Sequence, residues 1–205
     1  ITAVFCVRIL SRVFEGLKGF NTTKSAFWET PIGATWELPS SFIVEIITDK
    51  GISGIGQSAC WAYPEAVKSI VDRFENILIG KDPFMIEEIN QLLMRTGPFR
   101  GSVLSGAISC IDIALWDIAG KAANLPLYKM IGGAHRDKVE VYGYGMMLRP
   151  ENINSLISRF KEESAEIKEM GFKALKMKVG VGPKDDIKLI EAVRRGIGDN
   201  FRFMV

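Results

Sequence analysis

Histidine is almost missing from this 205-residue chain: His135 is the only one. It follows Gly132-Gly133 in what reads as a link, so it is taken as structural. One imidazole gives no basis for a Ser-His-Asp triad or a histidine-rich metal site within the chain. Cysteine is scarce and scattered. Cys6, Cys60 and Cys110 form no CxxC and sit in apolar stretches, which speaks against a disulfide framework or a zinc cluster and for core packing in a reducing cytosol. No charge sign is in excess: 26 basic and 24 acidic residues leave a formal net charge of +2, without runs. Neither a nucleic-acid nor a membrane partner is therefore expected. No uninterrupted apolar run approaches the ~18 residues that span a bilayer. The apolar opening ITAVFCVRIL is broken by Arg8, lacks a cleavage-site pattern and reads as a strand.

What is present suits a globular protein, with 47% hydrophobic and 24% charged residues and no composition that suggests disorder. Residues 2–13, 42–48 and the stretch ISGIGQSAC after the Asp49-Lys50-Gly51 turn read as strands. The long connection Glu15–Glu37, with Gly, Pro, Thr and aromatics, reads as a functional flap. Gly54-Ile55-Gly56 is a lone GxG without the rest of a dinucleotide fingerprint, so a phosphate role is set aside. From Pro64 the pattern turns helical, with Val67, Ile70, Val71, Phe74, Ile77 and Leu78 on one stripe ended by Gly80. Asp82-Pro83 opens a second helix, and a third runs from Ser102 to about Ala123. In the third, Gly106, Ala107, Cys110 and Ala114 suit close packing, and Asp117 and Lys121 stand at pairing distance.

After the link Pro126–Gly133 the grammar changes to alternating strands and helices. Strands are expected at Lys138–Tyr144, Phe172–Val179 and Phe201–Val205, with helices at Asn152–Met170 and Lys184–Gly196 between them. Asp185 and Asp186 open the last helix and Arg194 and Arg195 close it, as its dipole favours. Two successive strand–helix–strand units imply a parallel sheet. The domains are therefore read as 1–125 and 126–205.

Lys176 and Lys178 carry the chemistry. Residues two apart in a strand share a face, so Ala174, Lys176 and Lys178 point one way and Leu175, Met177 and Val179 the other. A crossover helix covers the apolar face. If the sheet closes into a barrel, the lysine face looks inward, at the C-terminal rim where barrel enzymes keep their active sites. Neighbouring ammonium groups disfavour each other's charge, and partial burial acts the same way, which favours a neutral amine able to act as a general base. The alternative is a solvated face with two ordinary lysines, which a strand between two crossover helices seldom has.

The stretch AISCIDIALWDIAGKAANLPLYKMIGG (Ala107–Gly133) resembles the signature helix and link of the mandelate racemase/muconate lactonizing enzyme family of the enolase superfamily. GFKALKMKVG followed by DDIKLIEAVRRGIGDNFRFMV resembles that family's second and third barrel strands, with its K-x-K motif. Cys110 and Met130 are minor departures. The resemblance implies an α+β capping domain followed by the start of a modified (β/α) TIM-type barrel. It also implies a divalent ion, usually Mg²⁺, gripping a small carboxylate substrate while a base takes the α-proton; a Lys or His base with Mg²⁺ is a general property of that superfamily. By the same resemblance Lys178 is the base and Lys176 its neighbour, which tunes it and contacts the carboxylate. Tyr144, at the end of the first barrel strand, touches substrate, and its bulk weakens the case for mandelate. Lys24, Trp28, Trp61 and Tyr63 are candidates for closing the pocket. The family's metal-binding Asp follows the third strand, so the Mg²⁺ ligands are expected beyond Val205 and none is named here. The chain by itself is expected to be inactive.

The leading expectation is an acid-sugar dehydratase, then a racemase or epimerase, then a cycloisomerase, in a cytoplasmic homo-oligomer. Alternatives of other kinds are a non-catalytic relative of the fold and a phosphate-binding barrel enzyme, the latter resting on fold analogy alone.

Overall fold

The computed structural model describes residues 1–9, 27–29, 35–37, 41–58, 64–97, 101–148 and 151–205, with backbone alone for 4–9, 27–29, 35–37 and 41. The chain divides into two compact units, with Thr35–His135 in the first and Arg136–Val205 in the second. The break falls after His135 rather than at 125/126. The link stays with the first unit because Asn124 adopts a left-handed C-cap and the Leu125 N–H returns to the Gly120 carbonyl at 3.0 Å.

In the first unit, β1 (Ala3–Ile9), β4 (Ser41–Ile47) and β5 (Ser53–Ser58) form an antiparallel sheet in the order β1-β4-β5. Short strands β2 (Phe27–Glu29) and β3 (Thr35–Glu37) pair separately. They fall within the segment read as a flap, whose other residues lie outside the described ones. Along β4, Phe42, Val44 and Ile46 are buried and alternate with half-buried neighbours, as a strand with one covered face requires. The cover is α1 (Pro64–Leu78) and α3 (Ser102–Ala123), with α2 (Ile86–Met94) packed on α3. Val67, Val71, Phe74 and Leu78 of α1 bury the stripe read from the sequence, each side chain contributing about 1.5–3 kcal/mol. α2 starts later than Asp82-Pro83 suggests. The Asp82 carboxylate accepts the Phe84 N–H at 2.9 Å and its carbonyl accepts the Met85 N–H, which makes a turn before the helix.

The GxG of β5 has a packing role. A Cβ at Gly56 would stand 1.7 Å from the Cys110 carbonyl oxygen of α3, and one at Gly54 would stand 2.0 Å from that of Ala114. Only glycine lets helix and strand approach so closely. α3 also covers the edge of β5: Asp117 accepts the Ile55 N–H at 2.9 Å, Lys121 donates to the Ser53 carbonyl at 2.8 Å, and the two side chains pair at 2.6 Å. Sheet-edge groups are thereby satisfied by helix side chains. By length and composition α3 could cross a membrane, but half of its apolar window is buried in this core, where Cys110 packs fully enclosed. The link holds α4 (Leu127–Met130).

The second unit is a parallel sheet in the order β6-β7-β8, of β6 (Gly143–Tyr144), β7 (Ala174–Lys176) and β8 (Arg202–Met204). Helices α5 (Ile153–Glu169) and α6 (Pro183–Ile197) make the crossovers. α5 begins at its Asn152 cap, whose side chain accepts the Ser155 N–H at 3.0 Å. All three strands are shorter than expected. Val139 and Val141, read as the start of β6, are 70% and 66% exposed and outside the ladder, which pairs only Gly143 with Leu175 and Tyr144 with Lys176. Leu175 and Met177 are fully buried with Phe160 of α5 and with Leu189 and Val193 of α6. The helices pack tightly where Gly196 meets Ser164, leaving no room for a Cβ.

Candidate active site

Parallel register sets three residues in a row across the sheet. Tyr144 of β6, Lys176 of β7 and Met204 of β8 are ladder partners. The next row back, Gly143, Leu175 and Phe203, faces the helices: a Cβ on Gly143 would strike Ile167 of α5, and Leu175 and Phe203 pack in the helix-side core. Tyr144, Lys176 and Met204 therefore belong to the opposite face. Beyond β7 the chain stays extended for one more ladder bond, Met177 N–H to the Met204 carbonyl at 3.1 Å. Met177 is buried on the helix side, and Lys178 after it is exposed. Lys176 is half-buried, Lys178 exposed and Tyr144 50% exposed, so Tyr144 and both lysines gather at the C-terminal ends of two neighbouring parallel strands.

The loop after Lys178 is held from α6. Gly180 and Gly182 have φ of +132° and +131°, a region that only glycine occupies without strain. Their N–H groups and that of Val181 all donate to the Asp186 carboxylate, at 3.0, 3.4 and 3.1 Å. Asp186 lies in the first turn of α6. The sequence explains it as a dipole partner, but its further role is to clamp the loop that leaves Lys178. At the other end of α6, Arg194 donates to the Phe201 carbonyl at 2.7 Å and lies over the Phe203 ring at 5.2 Å, which fixes the approach to β8. After β6, the loop is tied to α5 by Glu163 and Arg159, an i,i+4 pair at 2.9 Å. The spacing makes that pair visible in the sequence; its contact with the loop is not.

Of the remaining candidates, Lys24, Trp61 and Tyr63 lie outside the described residues, and Trp28 is described by backbone alone, within β2. His135 is exposed. Among the described residues no group of three or more His, Cys, Asp or Glu side chains is placed to hold a metal ion.

Residues 30–132 match the model of the mandelate racemase/muconate lactonizing enzyme N-terminal domain. The chain belongs to this family. Its relatives include a D-galactarolactone cycloisomerase of Agrobacterium fabrum, 38% identical over 80% of this chain and 43% of the relative. A D-galactonate dehydratase of Pectobacterium atrosepticum is 33% identical over 82% of this chain and 45% of the relative. Among solved structures, the 3,6-anhydro-D-galactonate cycloisomerase of Zobellia galactanivorans superposes with a TM-score of 0.75 at 32% identity, covering 99% of this chain and 49% of that one. An enolase-superfamily member from Polaromonas gives 0.75 at 28% identity, covering 98% and 50%. The chain thus spans about half the length of the family members it matches, and its two units are the family's α+β capping domain and the start of its modified (β/α) barrel.

Proposed function

We propose that the protein to which this chain belongs is a lyase or isomerase that removes the proton α to the carboxylate of a small acid sugar, with Lys178 as the base. The observation that carries the reading is the burial pattern after Ala174: Leu175 and Met177 go under the helices, Lys176 is half-buried in register with Tyr144, and Lys178 is exposed just past the strand end. Lys176, two residues back along the chain, lends its positive charge to the carboxylate. Tyr144 lines the substrate, and Trp28, Lys24, Trp61 and Tyr63 are further contacts in this reading.

Dehydration is the first assignment, supported by the names of the dehydratase relatives. The Lys178 amine takes the C2 proton, and the electron pair moves toward the carboxylate as an enediolate. The C3 hydroxyl then leaves as water on receiving one proton from a general acid, and the enol product tautomerises to a 2-keto-3-deoxy acid. A cycloisomerase is the second reading, favoured by the D-galactarolactone and anhydro-galactonate relatives; a racemase or epimerase is the third. Mg²⁺, which the family implies, finds no fitting set of acidic side chains among the described residues, and its ligands are proposed to lie beyond Val205. A cytoplasmic location without nucleic-acid or membrane partners, supported by the balanced charge and scattered cysteines, and a homo-oligomeric state complete the proposal.

Product analysis tests it. Full-length protein with Mg²⁺ is incubated with D-galactonate, D-galactarolactone and related acid sugars. A keto acid formed with loss of one water marks a dehydratase, and an isomeric product without that loss marks a cycloisomerase. No change in any acid sugar, with no hydrogen exchange at the α-carbon, would contradict the proposal.

A further inference from the structure

One backbone conformation at the end of β6 calls for a cause. Met146 has φ +52°, in the left-handed region that is unfavourable for any residue with a Cβ. Among the described non-glycine residues only Asn124 shares it, and Asn124 caps the C-terminus of α3, a position where such a conformation is common. Met146 ends no helix. Its side chain is fully buried in the core between sheet and helices, and its N–H donates to Glu163 Oε2 at 2.7 Å. The other oxygen, Glu163 Oε1, accepts Arg159 Nη1 at 2.9 Å. Arg159 Nη2 in turn donates to the Met147 carbonyl at 2.8 Å, and its Nε to Glu151 at 2.9 Å. One ion pair on α5 therefore grips the amide of Met146 and the carbonyl of Met147, both in the loop that carries the chain away from Tyr144.

The pair is well enclosed, with the Arg159 and Glu163 side chains 19% and 28% exposed. Burial would lower the guanidinium pKa, but the hydrogen bonds and charges of Glu151 and Glu163 outweigh it and raise the value above its ordinary level. A pair that served only helix stability would lie along the surface of α5. This one leaves the helix to hold a strained turn two residues past Tyr144, and strain of this kind persists only where the surroundings over-determine it.

We propose that the Arg159–Glu163 pair is a positioning device: it fixes the left-handed turn at Met146 and so sets how Tyr144 is presented on the substrate-facing side of the sheet. The proposal rests on the reading of Tyr144 as a substrate contact. Neither residue need touch substrate, because both act through the loop. The turn depends on the carboxylate, so shortening Glu163 releases the Met146 amide while leaving Tyr144 and both lysines chemically intact.

The test uses full-length protein labelled with 3-fluorotyrosine, in which the Tyr144 fluorine resonance is assigned by its loss in Tyr144→Phe. Glu163→Ala is expected to shift and broaden that resonance and leave that of Tyr128, in the other unit, in place. In the acid-sugar assay it should raise KM by about tenfold or more while kcat changes far less. Glu163→Gln keeps an acceptor for the amide and loses the charge, so it should move both readouts in the same direction by less. An unchanged Tyr144 resonance in folded Glu163→Ala overturns the proposal. If that variant does not fold, an unchanged resonance in Glu163→Gln does so instead. A wild-type protein inert toward acid sugars would sink the reading of the site and leave the fluorine result to judge the clamp alone.

Discussion

Replacing Gly56 with alanine asks whether the GxG of β5 serves packing or a ligand. The new Cβ would lie 1.7 Å from the Cys110 carbonyl oxygen and 2.7 Å from its carbonyl carbon. Carbon and oxygen come into ordinary contact at about 3.3 Å, so strand and helix must separate locally by about 1.6 Å. A gap of 0.5–1 Å already forfeits a quarter to a half of the dispersion attraction across an interface. The obstacle is main chain in the middle of α3, and no rotamer can relieve it. Over-packing that side chains can absorb costs about 1–3 kcal/mol; Gly56→Ala should therefore cost ~3 kcal/mol or more, a large share of the 5–15 kcal/mol typical of a domain. Urea unfolding followed by circular dichroism measures it, with Ile55→Ala as the control. Ile55 is 50% exposed between the two glycines, so its truncation should cost less than ~1 kcal/mol. A Gly56→Ala protein within ~1 kcal/mol of wild type would refute the close-packing explanation.

Two further substitutions probe the loops around the site. Asp186→Ala removes the acceptor shared by the Gly180, Val181 and Gly182 amides; it should cost about 1–2 kcal/mol and speed hydrogen exchange at those amides about tenfold or more, with Asp186→Asn milder. Arg159→Leu leaves Glu151 and Glu163 partly enclosed without their partner and should lower stability by about 2 kcal/mol in urea melts. The pH dependence of that contribution follows from the raised guanidinium pKa. A cation whose pKa rises on folding contributes fully below its unfolded value, so the arginine's share is lost only in strongly alkaline solution, as pH climbs through the raised value. Between about pH 6 and 9 the stability difference between Arg159→Leu and wild type should show no loss attributable to the arginine.

Much of the fold was legible because its signals are local. The stripe of α1 and the 22-residue α3 follow from side-chain period, and the helices lie where those patterns put them. Strand ends were not legible. Val139 and Val141 alternate as a strand would, but pairing is non-local, and the ladder joins β6 to β7 at only two positions. The division at 125/126 likewise missed the Leu125–Gly120 hydrogen bond that keeps the link with α3.

In the site, the burial of Leu175 and Met177 on either side of a half-buried Lys176 could be read because a period of two survives a short strand. Met204 completes a row with Tyr144 and Lys176 only through parallel register, which no single strand reveals. The left-handed turn at Met146 was hidden for a related reason. Methionine gives no sign of it, and it exists because a carboxylate 17 residues along the chain accepts its amide. Asp186 was noticed for the helix dipole, yet its three loop amides come from the segment before its own helix.

The central claim is that the amine of Lys178 removes the α-proton of a bound acid. Deuterium incorporation at the α-carbon, followed by NMR in heavy water with full-length protein, Mg²⁺ and an acid sugar that wild type processes, measures that step itself. Lys178→Ala, verified as folded by its melting curve, should slow incorporation by at least about a hundredfold. Incorporation at the wild-type rate in that variant would contradict the account.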